Sequence, residues 1–200
     1  MQFADIIGQK ETKQQLAELV QHNRLSHALL FLGKEGSGSL SLAIAFAQYV
    51  VCEKVNGGKS GVGSQESGPS LFGEPENSNV EPPTLNDSCG VCPACQKAQQ
   101  LIHPDIHFSY PTVTKKPGEK PVATDFITDW REFVKLSPYG NSYDWIEQIK
   151  EKENSQGKIT AEECNDIIRK LSLKSFESVY KILIMWMPEM LGTEGNKLLK

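Results

Sequence analysis

The chain has 200 residues, of which 38% are hydrophobic and 23% charged, and this suits one α/β domain with a sizeable core and an appendage. Its formal net charge of −4 provides no overall basic field for binding nucleic acid. No run approaches the roughly 20 apolar residues that span a bilayer, and no secretory signal opens the chain. We therefore expect a cytoplasmic protein without membrane contact.

The N-terminal part of the chain predicts a helix, a strand, a glycine-rich turn and a second helix. Apolar residues recur at helical spacing over residues 12–24, and residues 28–32 (ALLFL) form a short apolar run that indicates a buried strand. The glycine-rich turn covers residues 33–38, and residues 40–51 then predict a buried helix. Strand, glycine turn and helix in this order begin a βαβ unit, so the fold class is α/β.

A polar insertion follows. Residues 56–87 are rich in Gly, Ser, Pro, Asn and Glu, which predicts a flexible segment. A cysteine cluster closes this segment, and residues 93–101 predict a short helix. Residues 105–110 alternate in polarity and predict a second strand, whereas residues 112–122 predict a polar loop.

The C-terminal half predicts more helices and a late strand. Two helices at 126–136 and 143–153 carry Trp130 and Trp145, which we expect to act as packing anchors.

The next helix begins after Thr160, because Thr160 with Glu163 three residues later has the pattern of a capping box. The unbroken apolar run 182–187 (ILIMWM) is typical of a central parallel strand that is covered on both faces.

The glycine-rich turn resembles a phosphate-binding loop that has lost two side chains. Gly33 and Gly38 stand where the motif G-x-x-x-x-G-K-[ST] requires glycine, and Gly36 adds another. Ser39 replaces the lysine that reaches the β- and γ-phosphates, and Leu40 replaces the hydroxyl that holds Mg²⁺. Two interpretations follow: a former phosphate loop that keeps its shape, or an ordinary glycine-rich turn between strand and helix.

The end of the late strand lacks the acidic residue that an ATPase places there to orient Mg²⁺. The run ends in Trp186, Met187 and Pro188, and Glu189 is the first carboxylate. This second loss agrees with the first, because a site without lysine, hydroxyl and acid cannot supply the usual charge stabilisation of phosphoryl transfer. Binding of ADP or ATP without hydrolysis stays open.

Four cysteines indicate a metal site. Three thiols stand close together in a C-x-x-C-x-x-C pattern, and a fourth lies at the end of the helix after the glycine turn. Four thiolates suit a closed, tetrahedral structural Zn²⁺ site, while an iron–sulfur cluster or free thiols are the alternatives. The candidate ligands are Cys52, Cys89, Cys92 and Cys95. Cys164 is expected to be an ordinary buried thiol, and His103 and His107 are expected to be structural.

Several short stretches together resemble one protein family. They are Ile6-Ile7-Gly8-Gln9, residues 26–31 (SHALLF) before the glycine turn, the cysteine cluster, His103-Pro104-Asp105, Tyr180-Lys181 and residues 196–200 (NKLLK). In this order they resemble the bacterial clamp-loader subunits of DNA polymerase III, of the gamma/tau and delta-prime types. The stretch 112–158 is less typical of that family.

The resemblance implies an AAA+ module: a parallel sheet flanked by helices, with a zinc-binding insertion at 52–95. It implies that residues 1–200 are a truncated module without the lid, the collar and the arginine motif that delta-prime members supply to a neighbour's ATP site. In active gamma-type members an acidic pair aligns with Trp186 and Met187, so the departures there and at Ser39 favour the delta-prime type. The implied partners are gamma/tau and delta subunits and, through the complex, the sliding clamp and primer-template DNA.

Two other functions remain as competitors. One is an active ATPase subunit of the gamma/tau type, with Lys34 taking the place of the missing lysine, although Lys34 lies at the wrong end of the loop. The other is a zinc-containing nucleic-acid-binding module, which the acidic charge balance and the lack of interleaved aromatic and basic residues near the cysteines disfavour.

Overall fold

The computed structural model describes residues 1–56, 86–114, 118–151, 155–193, 195 and 198. Within these ranges the chain forms helices connected by irregular segments and a small parallel sheet. The helices are α1 (Lys10–Gln21), α2 (Ser39–Val51), α3 (Pro93–Gln99), α4 (Ile127–Leu136), α5 (Ser142–Ile149) and α6 (Ala161–Ser172), and the strands are β1 (Ile106–Ser109) and β2 (Ile182–Met185). Short 3-10 turns cover Phe3–Asp5, Ala123–Phe126 and Pro188–Met190.

Helix α2 is the central element of the fold. Ten of its 13 residues are buried, as expected for a helix that is apolar on all sides. One side of α2, including Phe46, packs with α1 and the N-terminal turn, and the other, including Ile44, packs with α3 and the aromatic core. The predicted helix at 40–51 is therefore confirmed, and it starts one residue earlier, at Ser39.

Strands β1 and β2 pair in parallel, with Ile106 opposite Ile182 and Phe108 opposite Ile184. The strands predicted at 105–110 and 182–187 are confirmed, with shorter bounds. The prediction that the run from Ile182 is a central strand covered on both faces is wrong for the described residues, because β2 has β1 as its one strand neighbour there and only Ile184 of its four residues is buried. Its apolar composition thus reflects partial burial at a sheet edge.

Aromatic side chains fill the core between the sheet and helices α4 and α5. The ring of Trp130 stacks on Tyr110 with centroids 4.0 Å apart and meets Trp145 edge-on at 5.3 Å. The indole N–H of Trp145 donates a hydrogen bond of 2.7 Å to the carbonyl of Pro111. Both tryptophans are fully buried, which confirms that they are packing anchors.

The predicted strand at 28–32 is wrong. This segment has no regular secondary structure, and the side chains of Leu30 and Leu32 are 79% and 89% exposed. A strand exists only when its backbone groups find a ladder partner, and no backbone hydrogen bond in the described part of the chain joins this segment to β1 or β2. Phe31 alone turns inward, and its ring lies 6.1 Å from that of Phe46.

The capping box predicted at α6 forms only in part. The hydroxyl of Thr160 accepts a hydrogen bond of 3.1 Å from the Glu163 backbone N–H, as predicted. The Glu163 carboxylate does not complete the box, because it is buried and accepts a 2.7 Å bond from the Ala123 backbone N–H instead. Burial raises the pKa of Glu163.

The other predicted helices are confirmed, although the one expected at 143–153 ends at Ile149. Most of the polar insertion predicted at 56–87 lies outside the described residues. No helix in the ranges given above is both long and apolar enough to cross a bilayer.

Candidate functional site

The structure brings the four cysteines of the predicted metal site together. Their sulfur atoms all lie within 4.8 Å of one another, and those of Cys89 and Cys95 are 3.9 Å apart. No pair forms a disulfide. Four thiolates around Zn²⁺ at about 2.3 Å would place the sulfurs about 3.8 Å from one another. The cluster therefore has the donor set and the size of a tetrahedral site.

Backbone N–H groups and neighbouring thiols polarise the sulfur atoms. The backbone N–H of Cys89 points at the sulfur of Cys52 at 3.4 Å, and that of Cys95 points at the sulfur of Cys92 at 3.5 Å. A hydrogen bond from the Cys95 thiol lowers the pKa of Cys52 to about 4 and raises the pKa of Cys95. Burial raises the pKa of Cys92. Four thiolates in so small a buried space repel one another, so their joint ionisation requires a cation.

The N-terminal turn is bound to the segment that enters the cysteine cluster. The two carboxylate oxygens of Asp87 accept hydrogen bonds from the backbone N–H groups of Phe3 and Ala4, at 3.0 and 2.9 Å. The Gln2 side chain donates to the Ser88 carbonyl at 2.5 Å. A metal bound by the cysteines would thus also fix the start of the chain.

A second set of contacts holds the loop before β2 against Asp105 and against α3, the helix that contains Cys95. Asp105 is fully buried, and its carboxylate accepts hydrogen bonds from three consecutive backbone N–H groups, those of Phe176 at 2.6 Å, Glu177 at 2.7 Å and Ser178 at 2.8 Å. Burial raises the pKa of Asp105, but these donors outweigh it and hold the pKa below its ordinary value. Glu177 also forms an ion pair with Lys97 of α3. The loop before β2 is therefore fixed to both β1 and α3.

His103, expected to be structural, is buried beside Asp105. Its Nδ1 accepts a hydrogen bond of 3.1 Å from the Asp105 backbone N–H, and burial lowers its pKa.

The glycine-rich residues 33–38 form a turn that leads into α2. The N–H of Ser37 closes a turn on the Lys34 carbonyl at 3.0 Å. Gly36 and Gly38 have φ angles of +72° and +79°, which favour glycine, and Gly38 caps α2. Ser39 is the first residue of α2, so it stands at the positive end of the helix dipole.

The connection between α4 and α5 packs against the residue that caps this helix end. The ring of Tyr139 lies against Gly38 so closely that a β-carbon on Gly38 would be 2.7 Å from a ring carbon. The buried hydroxyl of Ser41 donates a hydrogen bond to the Pro138 carbonyl. The Tyr139 hydroxyl accepts a 2.9 Å bond from the Ile7 backbone N–H.

The end of β2 carries no carboxylate. Trp186 is buried, and its ring lies 5.4 Å from Trp130. Glu189 is exposed, beyond Pro188. The chain therefore uses this strand end for packing with the aromatic core.

Three residues that make these contacts were not predicted from the sequence. Asp87 lies two residues before Cys89, and a turn-forming Asn-Asp-Ser stretch is a usable signal for such backbone contacts. Asp105 belongs to a stretch noted above for its resemblance, but its three N–H donors come from a distant loop. No local signal marks Tyr139.

Two comparisons with known proteins both point to subunits of DNA polymerase III. A family model described as "DNA polymerase III, delta subunit" matches residues 8–70 and 58–200. The "DNA polymerase III subunit tau/gamma" of Haemophilus influenzae is 44% identical over 50 residues, which are 25% of this chain and 7% of that relative. No solved structure matches the chain. Because the family model covers nearly all residues, the chain belongs to the DNA polymerase III clamp-loader family.

Proposed function

We propose that the chain is a non-hydrolysing clamp-loader subunit of the delta-prime type. In this role it helps to assemble, in the cytoplasm, the complex that loads the sliding clamp onto primer-template DNA. Its partners in the complex are gamma/tau and delta subunits. The family membership supports a role in clamp loading, and the chemistry of the glycine loop supports the delta-prime type.

The observation that carries the proposal is the combined loss of charged groups at the glycine loop and at the strand end. Ser39 and Leu40 stand at the positions of the lysine and of the Mg²⁺-binding hydroxyl, and Trp186 is packed into the core. Phosphoryl transfer depends on cations placed around the transferring group. Without these three groups, the loop cannot supply the usual charge stabilisation of the γ-phosphate in phosphoryl transfer.

We further propose that residues 1–200 form an AAA+ ATPase-like domain with a zinc-binding insertion at 52–95. Zn²⁺ would be held by Cys52, Cys89, Cys92 and Cys95, whose spacing fits a tetrahedral thiolate site. A metal in a closed four-thiolate site contributes folding free energy and leaves no position for substrate. The role of this metal is to hold the N-terminal turn and α3 in place.

The second candidate is an active subunit of the gamma/tau type, which the local identity to the Haemophilus influenzae relative favours. The two candidates differ in ATP turnover by the isolated chain. The gamma/tau type predicts turnover that a change in the glycine loop abolishes, whereas the delta-prime type predicts no turnover above a buffer control.

The decisive experiment reconstitutes the clamp loader of the source organism with and without this chain. The proposal predicts that omission abolishes clamp loading on primed DNA, while the purified chain alone hydrolyses no ATP. Loading at an unchanged rate without the chain would contradict the role in assembly. A DNA titration at several salt concentrations separates the zinc-containing nucleic-acid-binding module, because that function requires salt-dependent binding by the isolated chain.

A further inference from the structure

We propose that Tyr139 closes the glycine loop and occupies the place of a bound phosphate, so that the loop acts as an internal joint. The inference rests on the proposed non-hydrolysing role, since an ATPase requires this space to be open. It assigns a function to part of the stretch 112–158.

The position of the aromatic ring supports this closure first. In a phosphate-binding loop the anion lies in front of the helix N-terminus, where backbone N–H groups of the first turn have no intrahelical partner. The ring of Tyr139 lies against Gly38, the residue that caps α2, at a distance where one added carbon atom would clash. An apolar ring in this position excludes both the anion and its water from the helix end.

Hydrogen bonds hold the ring in place from both sides. The Ser41 hydroxyl in the first turn of α2 donates to the Pro138 carbonyl, next to the ring. The Tyr139 hydroxyl accepts from the Ile7 backbone N–H at 2.9 Å, and the Gln9 side chain donates to the Ser37 carbonyl at 2.6 Å. Three separate parts of the chain therefore meet at the loop.

The turn that carries Tyr139 is itself fixed to the core. The Ser137 N–H bonds to the Phe133 carbonyl at 2.8 Å, and the Gly140 N–H bonds to the Ser137 carbonyl at 2.9 Å. A β-carbon on Gly140 would be 2.8 Å from the ring of Phe133, which is buried. This close packing on α4 fixes the backbone from which the ring of Tyr139 extends.

A consequence is that restoring the two missing side chains does not restore the site. A lysine and a threonine at the positions of Ser39 and Leu40 would supply charge and a hydroxyl. The phosphate would still meet the ring of Tyr139. Removing the ring opens the helix end, and only the combination of both changes produces a phosphate site.

The test compares two variants of this chain by calorimetry with Mg·ADP. We expect the Ser39→Lys/Leu40→Thr double variant to show no detectable binding of ADP. The triple variant with Tyr139→Ala should bind ADP with an affinity at least about tenfold above the detection limit that applies to the double variant. Tyr143→Ala on the double variant is the matched control, because Tyr143 is a 69% exposed residue of α5 and takes no part in the contacts at the loop described above. Equal binding by the double and triple variants, or no binding by either, would overturn the closure.

Hydrogen exchange provides a second readout that does not require nucleotide. Tyr139→Phe removes only the hydroxyl, so it should accelerate exchange at the Ile7 amide, and Tyr139→Ala should also accelerate exchange over residues 38–41. Unchanged exchange at both places would contradict the proposed joint. These measurements do not depend on clamp loading. The closure by Tyr139 can therefore be refuted while the role in assembly is kept, and the role in assembly can be refuted while the closure is kept.

Discussion

Replacing Asp105 by asparagine tests how the loop before β2 is held. In the wild type one carboxylate oxygen accepts from Phe176, and the other accepts from Glu177 and Ser178. In Asp105→Asn the amide oxygen can keep two of these bonds in neutral form, and the amide NH₂ faces the third donor. Weakening two charge-assisted bonds and leaving one partly buried N–H without its acceptor costs about 3 kcal/mol in total.

Urea denaturation of both proteins, with the zinc concentration fixed, measures this difference in the free energy of unfolding. Asp144→Asn is the matched control, because Asp144 is exposed and accepts one 3.1 Å bond from Asn141 at the start of α5. We expect the control to cost less than about 1 kcal/mol. A cost below about 1 kcal/mol for Asp105→Asn as well would refute the idea that this carboxylate holds the loop.

The difference in the free energy of unfolding between wild type and Asp105→Asn should depend on pH in a defined direction. The folded-state pKa of Asp105 is lowered, so its contribution is fully present above its unfolded pKa of about 3.9 and is lost as the pH falls through the folded value. The stability difference between wild type and Asp105→Asn should therefore be constant at neutral pH and shrink only in acid. Any zinc held by the cysteines would be released in acid from both proteins alike. A difference that changes around neutral pH would contradict this assignment.

Three further predictions concern the metal, the N-terminal turn and the aromatic core. Elemental analysis should find one zinc per chain, lost in Cys92→Ser and retained in Cys164→Ser, whose buried thiol lies outside the cluster; zinc retained by the first variant would refute the ligand set. Asp87→Ala should accelerate amide exchange at residues 3–4, because it removes the carboxylate that accepts from both amides, and it should leave the zinc content unchanged, because Asp87 also accepts from the Ser88 N–H but is not one of the four candidate ligands; unchanged exchange would contradict the contact. Trp145→Phe should lower stability by about 2 kcal/mol in urea denaturation, because a buried carbonyl loses its indole partner; an unchanged midpoint would argue against this bond.

The sequence was most informative where the cause of structure is local. Helix α2 is predicted within one residue because Gly38 precedes a continuous apolar stretch that only burial can satisfy. The grouping of the four cysteines could also be predicted, since three of them lie within one short stretch and the fourth directly follows α2.

Prediction failed where a distant group decides the outcome. The segment 28–32 has the composition of a strand, but a strand requires a partner that no local pattern reveals. The Glu163 side chain had a local partner in the capping box, and a buried N–H from Ala123 competed for it successfully. Ser41 and Pro138 are 97 positions apart, so their contact at the glycine loop could not be predicted from the local sequence around either residue.

The central claim is that this chain supports clamp loading without using its glycine loop for nucleotide chemistry. Gly36 is exposed, has a φ of +72° and has open space where a β-carbon would lie, so asparagine and aspartate add no clash there and, as the side chains that adopt this conformation most readily, add a similar small strain. The direct measurement is the clamp-loading rate of complexes reconstituted with Gly36→Asp and with Gly36→Asn, which differ by one negative charge in the loop. Equal rates, matching wild type, are predicted; loss of loading in the aspartate variant alone would show that the loop binds a phosphate during loading and would contradict the claim.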